Sequence, residues 1–207
     1  MTQVVSTKQA HAIDLALNAL QEGKVIAIPT DTVYGIACLV DNTEAIKRIY
    51  EIKGREKTKA LPVLIGEYDQ LLCIAEELNT CAQKLAKKFW PGALTLIISR
   101  NPKLPNILSP YATIGVRMPE HDWLRKLINQ SGPLAATSAN LSGTSNPRKA
   151  SEVLDQLEAK IEIIMDGGTC RKGIPSTIVD CTGEKVKILR QGGLLEDAIL
   201  SCLHNLS

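Results

Sequence analysis

The stretch VIAIPTDTVYG, residues 25–35, joins an apolar run to a tight polar turn, and the rest of the chain is organised around it. Its first four residues are apolar and rich in β-branched side chains, which predicts a short buried strand over 25–28. Pro29 and Gly35 then bracket two threonines, an aspartate and a tyrosine. Proline and glycine around a polar run are typical of a loop. We therefore expect a cluster of polar side chains at the end of a buried strand.

A basic segment follows after one helix. Asn42 or Thr43 is placed to N-cap a helix that runs to about residue 51. The next segment, KGREKTK at 53–59, has four cations at alternate positions: Lys53, Arg55, Lys57 and Lys59. In extended backbone these side chains would share one face, which suggests a site for a polyanion such as a triphosphate. A solvated basic loop would have the same sequence, so this segment alone leaves both interpretations open.

The composition is that of an ordinary globular protein. The chain has 207 residues, enough for a substantial core, with 44% hydrophobic and 22% charged residues. The formal net charge is only +2, so any affinity for anions has to come from local clustering. Aromatic residues make up 3%, which argues against a base-stacking surface for single-stranded nucleic acid.

The cysteines and the N-terminal segment indicate the compartment. Six cysteines are scattered without any C-x-x-C pair, which favours free thiols in a reducing cytoplasm over a zinc site or a disulfide framework. The first residues, MTQVVSTK, lack the apolar core of a signal peptide. No apolar run approaches membrane-spanning length. We therefore expect a cytoplasmic protein that makes no use of a membrane.

Helical and strand patterns alternate along the chain. Helices are predicted over 7–22, 42–51, 69–78, 80–89, 119–130, 150–157 and 194–206. Strands are predicted over 25–28, 93–99, 113–118, 161–165 and 186–189. Another strand is headed by Ser176 and Thr177, and a short apolar strand within 132–143 runs into a loop of small polar residues. Such alternation predicts the α/β class. Without an internal repeat or a clear linker, one domain over residues 1–207 is favoured.

Polar residues follow or interrupt several of these strands. They are Thr30, Arg117, Ser138, Ser176 and Arg190. An arginine inside an apolar strand is expensive to bury unpaired, so it has to face water, a carboxylate or an anionic ligand. Ser138 and Asn140 belong to a loop of small polar residues that suits a phosphate or a purine, although an ordinary ST-turn would look the same. Loops of this kind commonly converge on one crevice of an open sheet.

The motifs that are absent narrow the chemistry. Neither a Gly-x-x-x-x-Gly-Lys-Ser/Thr phosphate loop nor a Gly-x-Gly-x-x-Gly fingerprint is present. His11, His121 and His204 lie outside the polar motifs, which disfavours nucleophilic triads and histidine acid–base catalysis. What remains is catalysis by positioning and charge stabilisation, which suits transfer at a phosphorus centre.

Six motifs in order carry a resemblance to a known family. They are PTDTVYG (29–35), KGR (53–55), GVRMP (115–119), TSANLSG (137–143), PSTIVD (175–180) and RQG (190–192). Over nearly the whole chain this pattern resembles the YrdC-domain family, the L-threonylcarbamoyladenylate synthases of the TsaC type. The resemblance implies an open, twisted mixed α/β sheet with flanking helices around a concave basic cavity, the YrdC/RibB-like fold.

The resemblance also implies a reaction. L-Threonine, bicarbonate or CO2, and ATP would give threonylcarbamoyl-AMP and pyrophosphate, with Mg²⁺ accompanying the ATP. Partner proteins would use the product to modify the adenosine beside the anticodon of ANN-decoding tRNAs. Two alternatives stay open: a non-catalytic protein that contacts tRNA or double-stranded RNA by shape, and carbamoyl transfer to a different acceptor.

Functional residues are carried over from the family motifs position by position. Lys53 and Arg55 would be catalytic and would hold the ATP phosphates. The implied ATP-binding residues are Lys53, Arg55, Lys57, Thr113, Ser138, Asn140, Asn146 and Arg190. The implied L-threonine-binding residues are Thr32, Arg117 and Ser176, with Arg117 pairing the carboxylate. The resemblance implies no protein ligands for a metal and no dedicated general base.

Overall fold

The computed structural model describes the backbone of residues 1–204 and the side chains of residues 1–203. The strands are β1 Gln3–Ser6, β2 Ile26–Ile28, β3 Gly35–Leu39, β4 Val63–Leu64, β5 Leu94–Ser99, β6 Thr113–Arg117, β7 Leu134–Ser138, β8 Ile163–Asp166, β9 Thr177–Asp180 and β10 Lys187–Arg190. The α-helices are α1 Ala12–Gln21, α2 Thr43–Lys53, α3 Leu71–Ile74, α4 Thr80–Phe89, α5 Asp122–Ser131, α6 Ala150–Leu157 and α7 Glu196–His204. The last two residues of the predicted C-terminal helix lie outside the described range.

All ten strands form one mixed sheet in the order β1-β8-β2-β3-β7-β4-β6-β5-β9-β10. Parallel pairs join β1 to β8, β8 to β2, β4 to β6, and β5 to β9, and the other neighbours are antiparallel. The end strands β1 and β10 do not pair with each other, so the sheet is open. The predicted open mixed α/β sheet is confirmed.

Two apolar layers cover the two faces of the sheet. On β2, Ile26 and Ile28 point to one layer while Ala27 points to the other, which explains why the run is continuously apolar. Helices α1 and α5 pack on the first face and α2, α4 and α6 on the second. Among the described residues, the first layer includes none from β5, β6 or β9. That part of the first face is therefore left open for a cavity.

The ends of the helices follow from their sequences. The Asn42 side chain accepts a hydrogen bond of 2.9 Å from the backbone N–H of Ala45 and so caps α2, as predicted. The helix stops after Lys53 because Gly54 adopts a left-handed conformation with φ of 58°. Asn79 caps α4 in the same way, 2.9 Å from the N–H of Ala82. None of the helices in residues 1–204 is long and apolar enough to cross a membrane.

Some sequence-based predictions of the elements were wrong. Residues 7–11 form turns, so the first helix starts at Ala12, and the strands β1, β3 and β4 were missed. Most of the helix predicted over 69–78 is replaced by a 3-10 turn and the four-residue α3. Strand β3 was missed because its short apolar run follows a polar turn directly. It is a strand because β2 and β7 pair with it on both sides.

Candidate active site

A cavity of about 260 Å³ lies over the open part of the sheet. Its floor comes from alternate residues of β5 and β6 and from the last three residues of β7, with Gly115 between Thr95 and Ile97. A Cβ atom at Gly115 would lie 3.2 Å from both of those side chains, so glycine gives the floor its depth. The 29–35 turn and the loop before β9 form two of the walls. Strand register brings these parts together, because Ser138 pairs with Gly35.

Most of the predicted site residues meet in this cavity. Seven of them line it: Thr32, Arg55, Arg117, Ser138, Asn146, Ser176 and Arg190. Lys53 and Asn140 are buried behind its wall, at 3% and 6% exposure. Lys57 is exposed in a turn and Thr113 lies at the far end of β6, and neither lines the cavity.

Three guanidinium groups give the cavity a strong positive charge. They belong to Arg55, Arg117 and Arg190, and none of the described lining residues is an aspartate or a glutamate. Burial lowers the pKa of Arg190, and the neighbouring charge of Arg117 lowers it further. Burial also lowers the pKa of Arg55. The charges of Arg117 and Arg190 thus repel each other, and an anion bound between them would relieve this repulsion.

The guanidinium of Arg117 is held by three groups. It donates 3.0 Å to the carbonyl of Gly92, 2.8 Å to Oγ1 of Thr32, and to the carboxylate of Asp31. Burial lowers the pKa of Arg117, and the charge of Asp31 opposes this shift. From the sequence, Arg117 was expected to face water, a carboxylate or an anionic ligand, and in the structure it faces the carboxylate of Asp31. The described contacts use three of its five N–H donors, so a bound anion would find the others free.

Asp31 is an important residue that sequence reasoning missed. Its carboxylate is buried and also accepts from the backbone N–H of Glu120 at 3.2 Å and from Nζ of Lys172 at 3.3 Å. Its neighbour Thr30 shapes the turn, because its hydroxyl accepts from the N–H groups of Thr32 and Val33. The only signal for Asp31 was the arginine within an apolar strand, which would need a counterion if it were buried.

Ser176 is held by two side chains, those of Thr95 and Arg190. Its hydroxyl lies 2.7 Å from that of Thr95, a buried cavity residue that sequence reasoning also missed. The guanidinium of Arg190 donates to the Ser176 carbonyl, with Nε at 3.2 Å and Nη2 at 2.8 Å. The bond joins Thr95 of β5 to the residue directly before β9, and their sequence positions gave no sign of it.

Gly192 allows this close approach. A Cβ at this position would lie 2.5 Å from the carbonyl oxygen of Ser176, which backbone atoms cannot tolerate. We expect Gly192→Ala to lower the free energy of unfolding by about 1–3 kcal/mol, measured by urea denaturation. Gly183→Ala is the matched control, because its Cβ would meet only the Lys185 carbonyl, at 3.6 Å. Equal stability of the two variants would contradict the argument.

The ammonium group of Lys53 binds the end of β7 and the loop that follows it. Its Nζ donates 2.5 Å to the carbonyl of Ser138, 2.6 Å to the carbonyl of Asn140, and 3.3 Å to the Asn140 side chain. Burial lowers the pKa of Lys53 to about 8, and the charge of Arg55 adds to the shift. The predicted extended basic segment was wrong, because Lys53 ends a helix and Gly54 turns the chain. Lys59 is exposed and pairs with Glu56 at 3.4 Å.

A second cavity, of about 370 Å³, lies on the other side of the 29–35 turn. It is lined by Asp31, Glu120, His121 and Arg171, among others, and by none of the predicted site residues. His121 caps α5, since its Nδ1 accepts from the N–H of Leu124 at 3.3 Å. Burial lowers the pKa of His121. The mixed charges of this cavity single out no ligand.

Comparison with known proteins decides the family. The family model Sua5_yciO_yrdC, described as telomere recombination, matches residues 18–192. The chain belongs to this family. The matched range contains every predicted site residue from Thr32 to Arg190, and the resemblance inferred from the six motifs is confirmed.

Individual Sua5/YciO/YrdC relatives are similar over almost the whole chain. The threonylcarbamoyl-AMP synthase of Pyrococcus abyssi is 42% identical over 199 residues, which cover 94% of this chain and 58% of that protein. The enzyme of the same name from Bacillus subtilis is 42% identical, covering 96% and 58%. A putative threonylcarbamoyl-AMP synthase of Mycobacterium tuberculosis is 32% identical, covering 95% and 91%. The chain thus spans less than two thirds of the first two relatives.

Solved structures of the family share the fold. The crystal structure of P. abyssi Sua5 complexed with L-threonine matches with a TM-score of 0.94 and 38% identity. That match covers 98% of this chain and 61% of the other. Escherichia coli YciO matches with a TM-score of 0.84 and 26% identity, covering 93% of this chain and 96% of its own.

Proposed function

We propose that this chain is an L-threonylcarbamoyladenylate synthase, which forms threonylcarbamoyl-AMP and pyrophosphate from L-threonine, bicarbonate or CO2, and ATP. The observation that carries the proposal is a cavity with three arginines and several hydroxyl groups but no carboxylate among its described lining residues. Such a site suits two anionic substrates together, a triphosphate and an amino-acid carboxylate. The names of the relatives in three organisms support the same reaction.

The cavity suggests where each substrate would bind. Arg117, Thr32 and Ser176 would hold L-threonine, with the free N–H groups of Arg117 on its carboxylate. Arg55, Arg190, Ser138 and Asn146 would hold ATP. The family resemblance also implies that four further residues bind ATP: Lys57, Thr113, Lys53 and Asn140. The first two would need to move to reach it, and the last two would act from behind the wall.

The chemistry would proceed by positioning and charge stabilisation. The neutral amine of threonine attacks the carbon of CO2, forms a C–N bond and loses a proton. A carbamate oxygen then attacks the α-phosphorus, and the bond from that phosphorus to the bridging oxygen breaks to release pyrophosphate. Arg55 and Arg190 would stabilise the charge that builds up on the leaving group. Because no imidazole or carboxylate is among the described lining residues, no side chain of the cavity wall is assigned as base.

Magnesium would accompany the nucleotide. The described residues contain no group of three or more His, Cys, Asp or Glu side chains that could hold a metal ion. The nearby carboxylate of Asp31 is already bound to Arg117 and Lys172. Mg²⁺ commonly binds through substrate phosphates and water, so the cavity fits an ion held by ATP. Its chemistry would be to neutralise phosphate charge.

Further features of the protein belong to the same proposal. We propose one YrdC-like domain over residues 1–207, since one sheet takes strands from both ends of the described chain. We also propose a cytoplasmic protein that passes its product to tRNA-modifying partner proteins. Initial rates of the same assay started with CO2 or with bicarbonate, measured before the two interconvert, distinguish which of them enters the cavity.

The direct test is release of pyrophosphate from ATP and bicarbonate, with and without L-threonine. We expect release that depends on threonine and on the carbon source, because the carbamate is the nucleophile. Release with another amine but not with threonine would favour a different acceptor. No release, together with salt-dependent tRNA binding, would favour an RNA-binding protein instead.

A further inference from the structure

Lys53 has no N–H donor left for a ligand. A lysine ammonium has three donors and no acceptor. Its contacts are with the Ser138 carbonyl, the Asn140 carbonyl and the Asn140 side-chain oxygen, at 2.5, 2.6 and 3.3 Å. All of these acceptors lie at the end of β7 and in the loop that follows it, here called the 138–144 loop. The residue is 3% exposed, so water does not supply further partners.

The contact between Lys53 and the 138–144 loop runs in both directions. The backbone N–H of Ser142 donates 3.1 Å to the Lys53 carbonyl, which links the end of α2 to the loop a second time. Within the loop, the Asn140 amide donates 3.0 Å to the Leu141 carbonyl and 2.8 Å to the Thr144 carbonyl. Its oxygen also accepts from the Ser138 hydroxyl at 2.5 Å. Lys53 therefore holds the residue that organises the whole loop.

The loop separates Lys53 from the cavity. Ser138, at the start of this loop, and Asn146, two residues after its end, line the cavity, whereas Lys53 and Asn140 do not line it. To reach a phosphate, the ammonium would have to release at least one of the Ser138 and Asn140 carbonyls, and its bond to the Asn140 carbonyl is buried. An unpaired buried carbonyl is costly, so the existing contacts oppose that movement.

We propose that Lys53 is a positioning residue, which fixes the 138–144 loop so that Ser138 and Asn146 face the nucleotide, rather than a ligand of the phosphates. The proposal rests on the proposed function, because it concerns the ATP end of the same cavity. It differs from the role implied by the family resemblance, in which Lys53 holds the phosphates directly. The burial of the ammonium and its complete set of protein acceptors carry it.

Hydrogen exchange and kinetics test the proposal with Lys53→Met. We expect amide exchange of the 138–144 loop to become faster by about tenfold, because hydrogen bonds to a charged group are lost. The strands β5 and β6 should exchange as in the wild type. We also expect kcat/KM for ATP to fall by about 10²-fold through misplacement of Ser138 and Asn146. Lys47→Met is the control, an exposed lysine on the same helix paired only with Glu44.

Lys53→Arg separates a positioning role from direct phosphate binding. A planar guanidinium keeps the charge and binds phosphate well, but it does not match three acceptors that converge on a compact ammonium. We expect Lys53→Arg to leave the loop exchange fast and the activity low. Recovery of activity in Lys53→Arg with wild-type exchange would overturn the proposal.

The double variant Lys53→Met/Asn140→Ala provides a second test, based on kcat/KM, that can be used even if Lys53→Met is less stable than the wild type. Lys53→Met and Asn140→Ala share only the contact between Nζ and the Asn140 side-chain oxygen, but both remove hydrogen bonds that hold the 138–144 loop. If both act by placing this loop, the combined variant should lose less kcat/KM than the product of the two separate losses. Additive losses would contradict a shared positioning role. The losses are compared only between variants that remain folded in the same exchange experiment.

Binding of inorganic triphosphate keeps this test independent of turnover. By calorimetry, Arg55→Met should weaken binding more strongly than Lys53→Met, because only Arg55 lines the cavity. Lys53→Met losing triphosphate binding with unchanged loop exchange would overturn the proposal. The proposed function can also fail alone. In that case the wild type binds triphosphate but releases no pyrophosphate with threonine, while Lys53→Met still speeds the exchange of the 138–144 loop, and the positioning role stands.

Discussion

Arg55→Met is expected to lower kcat/KM for ATP in threonine-dependent pyrophosphate release by about 10³-fold, the lower range for an arginine that stabilises phosphoryl transfer. The side chain lines the cavity, and its guanidinium is oriented by the carbonyls of Lys59 and Ala60, each at 3.1 Å. The positive charge is therefore already in place before the leaving group develops its negative charge. Steady-state kinetics at varied ATP concentration measure the effect.

The control for this prediction is Arg48→Met. Arg48 lies on α2 and pairs with Glu51 at 3.3 Å, with both side chains more than half exposed. An exposed pair of this kind contributes little, so stability and kinetics should stay close to those of the wild type. A wild-type kcat/KM in Arg55→Met would place the triphosphate away from this cation.

Much of the fold was predictable because local signals and packing agree in many elements. Helix α2 has an asparagine cap and a glycine stop, and its buried residues recur at helical spacing, so its start was predicted to within one residue. Helix α6 was predicted with its observed bounds, Ala150–Leu157. Strand β3 was missed because pairing across the sheet, rather than its own pattern, makes it a strand.

Most of the site residues singled out from the sequence line the cavity, whereas two buried residues that hold some of them in place had not been singled out. Arg117 and Ser176 were singled out because they are polar residues within or before apolar strands. Their partners Asp31 and Thr95 come from other elements, and only the tertiary structure brings them together. For Lys53, the alternating pattern predicted a shared exposed face. The helix end and the left-handed Gly54 bury its side chain instead.

Arg117→Met is expected to lower the free energy of unfolding by about 3–5 kcal/mol, because it leaves the buried carboxylate of Asp31 without its main counterion. Asp31 and Arg117 are 3% and 6% exposed, so water does not replace the lost contact. Urea denaturation measures the change, provided that the slope with denaturant stays the same. Threonine-dependent release should also be lost, since this guanidinium would bind the carboxylate.

Lys172→Met provides a matched comparison on the same carboxylate. Lys172 also pairs with Asp31, at 3.3 Å, but its side chain is 36% exposed. We expect its loss to cost less than about 1 kcal/mol, because solvent screens a pair of this kind. The double variant Arg117→Met/Asp31→Asn should recover part of the stability lost in Arg117→Met, because no unpaired charge remains buried. Equal costs for Lys172→Met and Arg117→Met, or no recovery in the double variant, would mean that burial of Asp31 does not determine the stability of this turn.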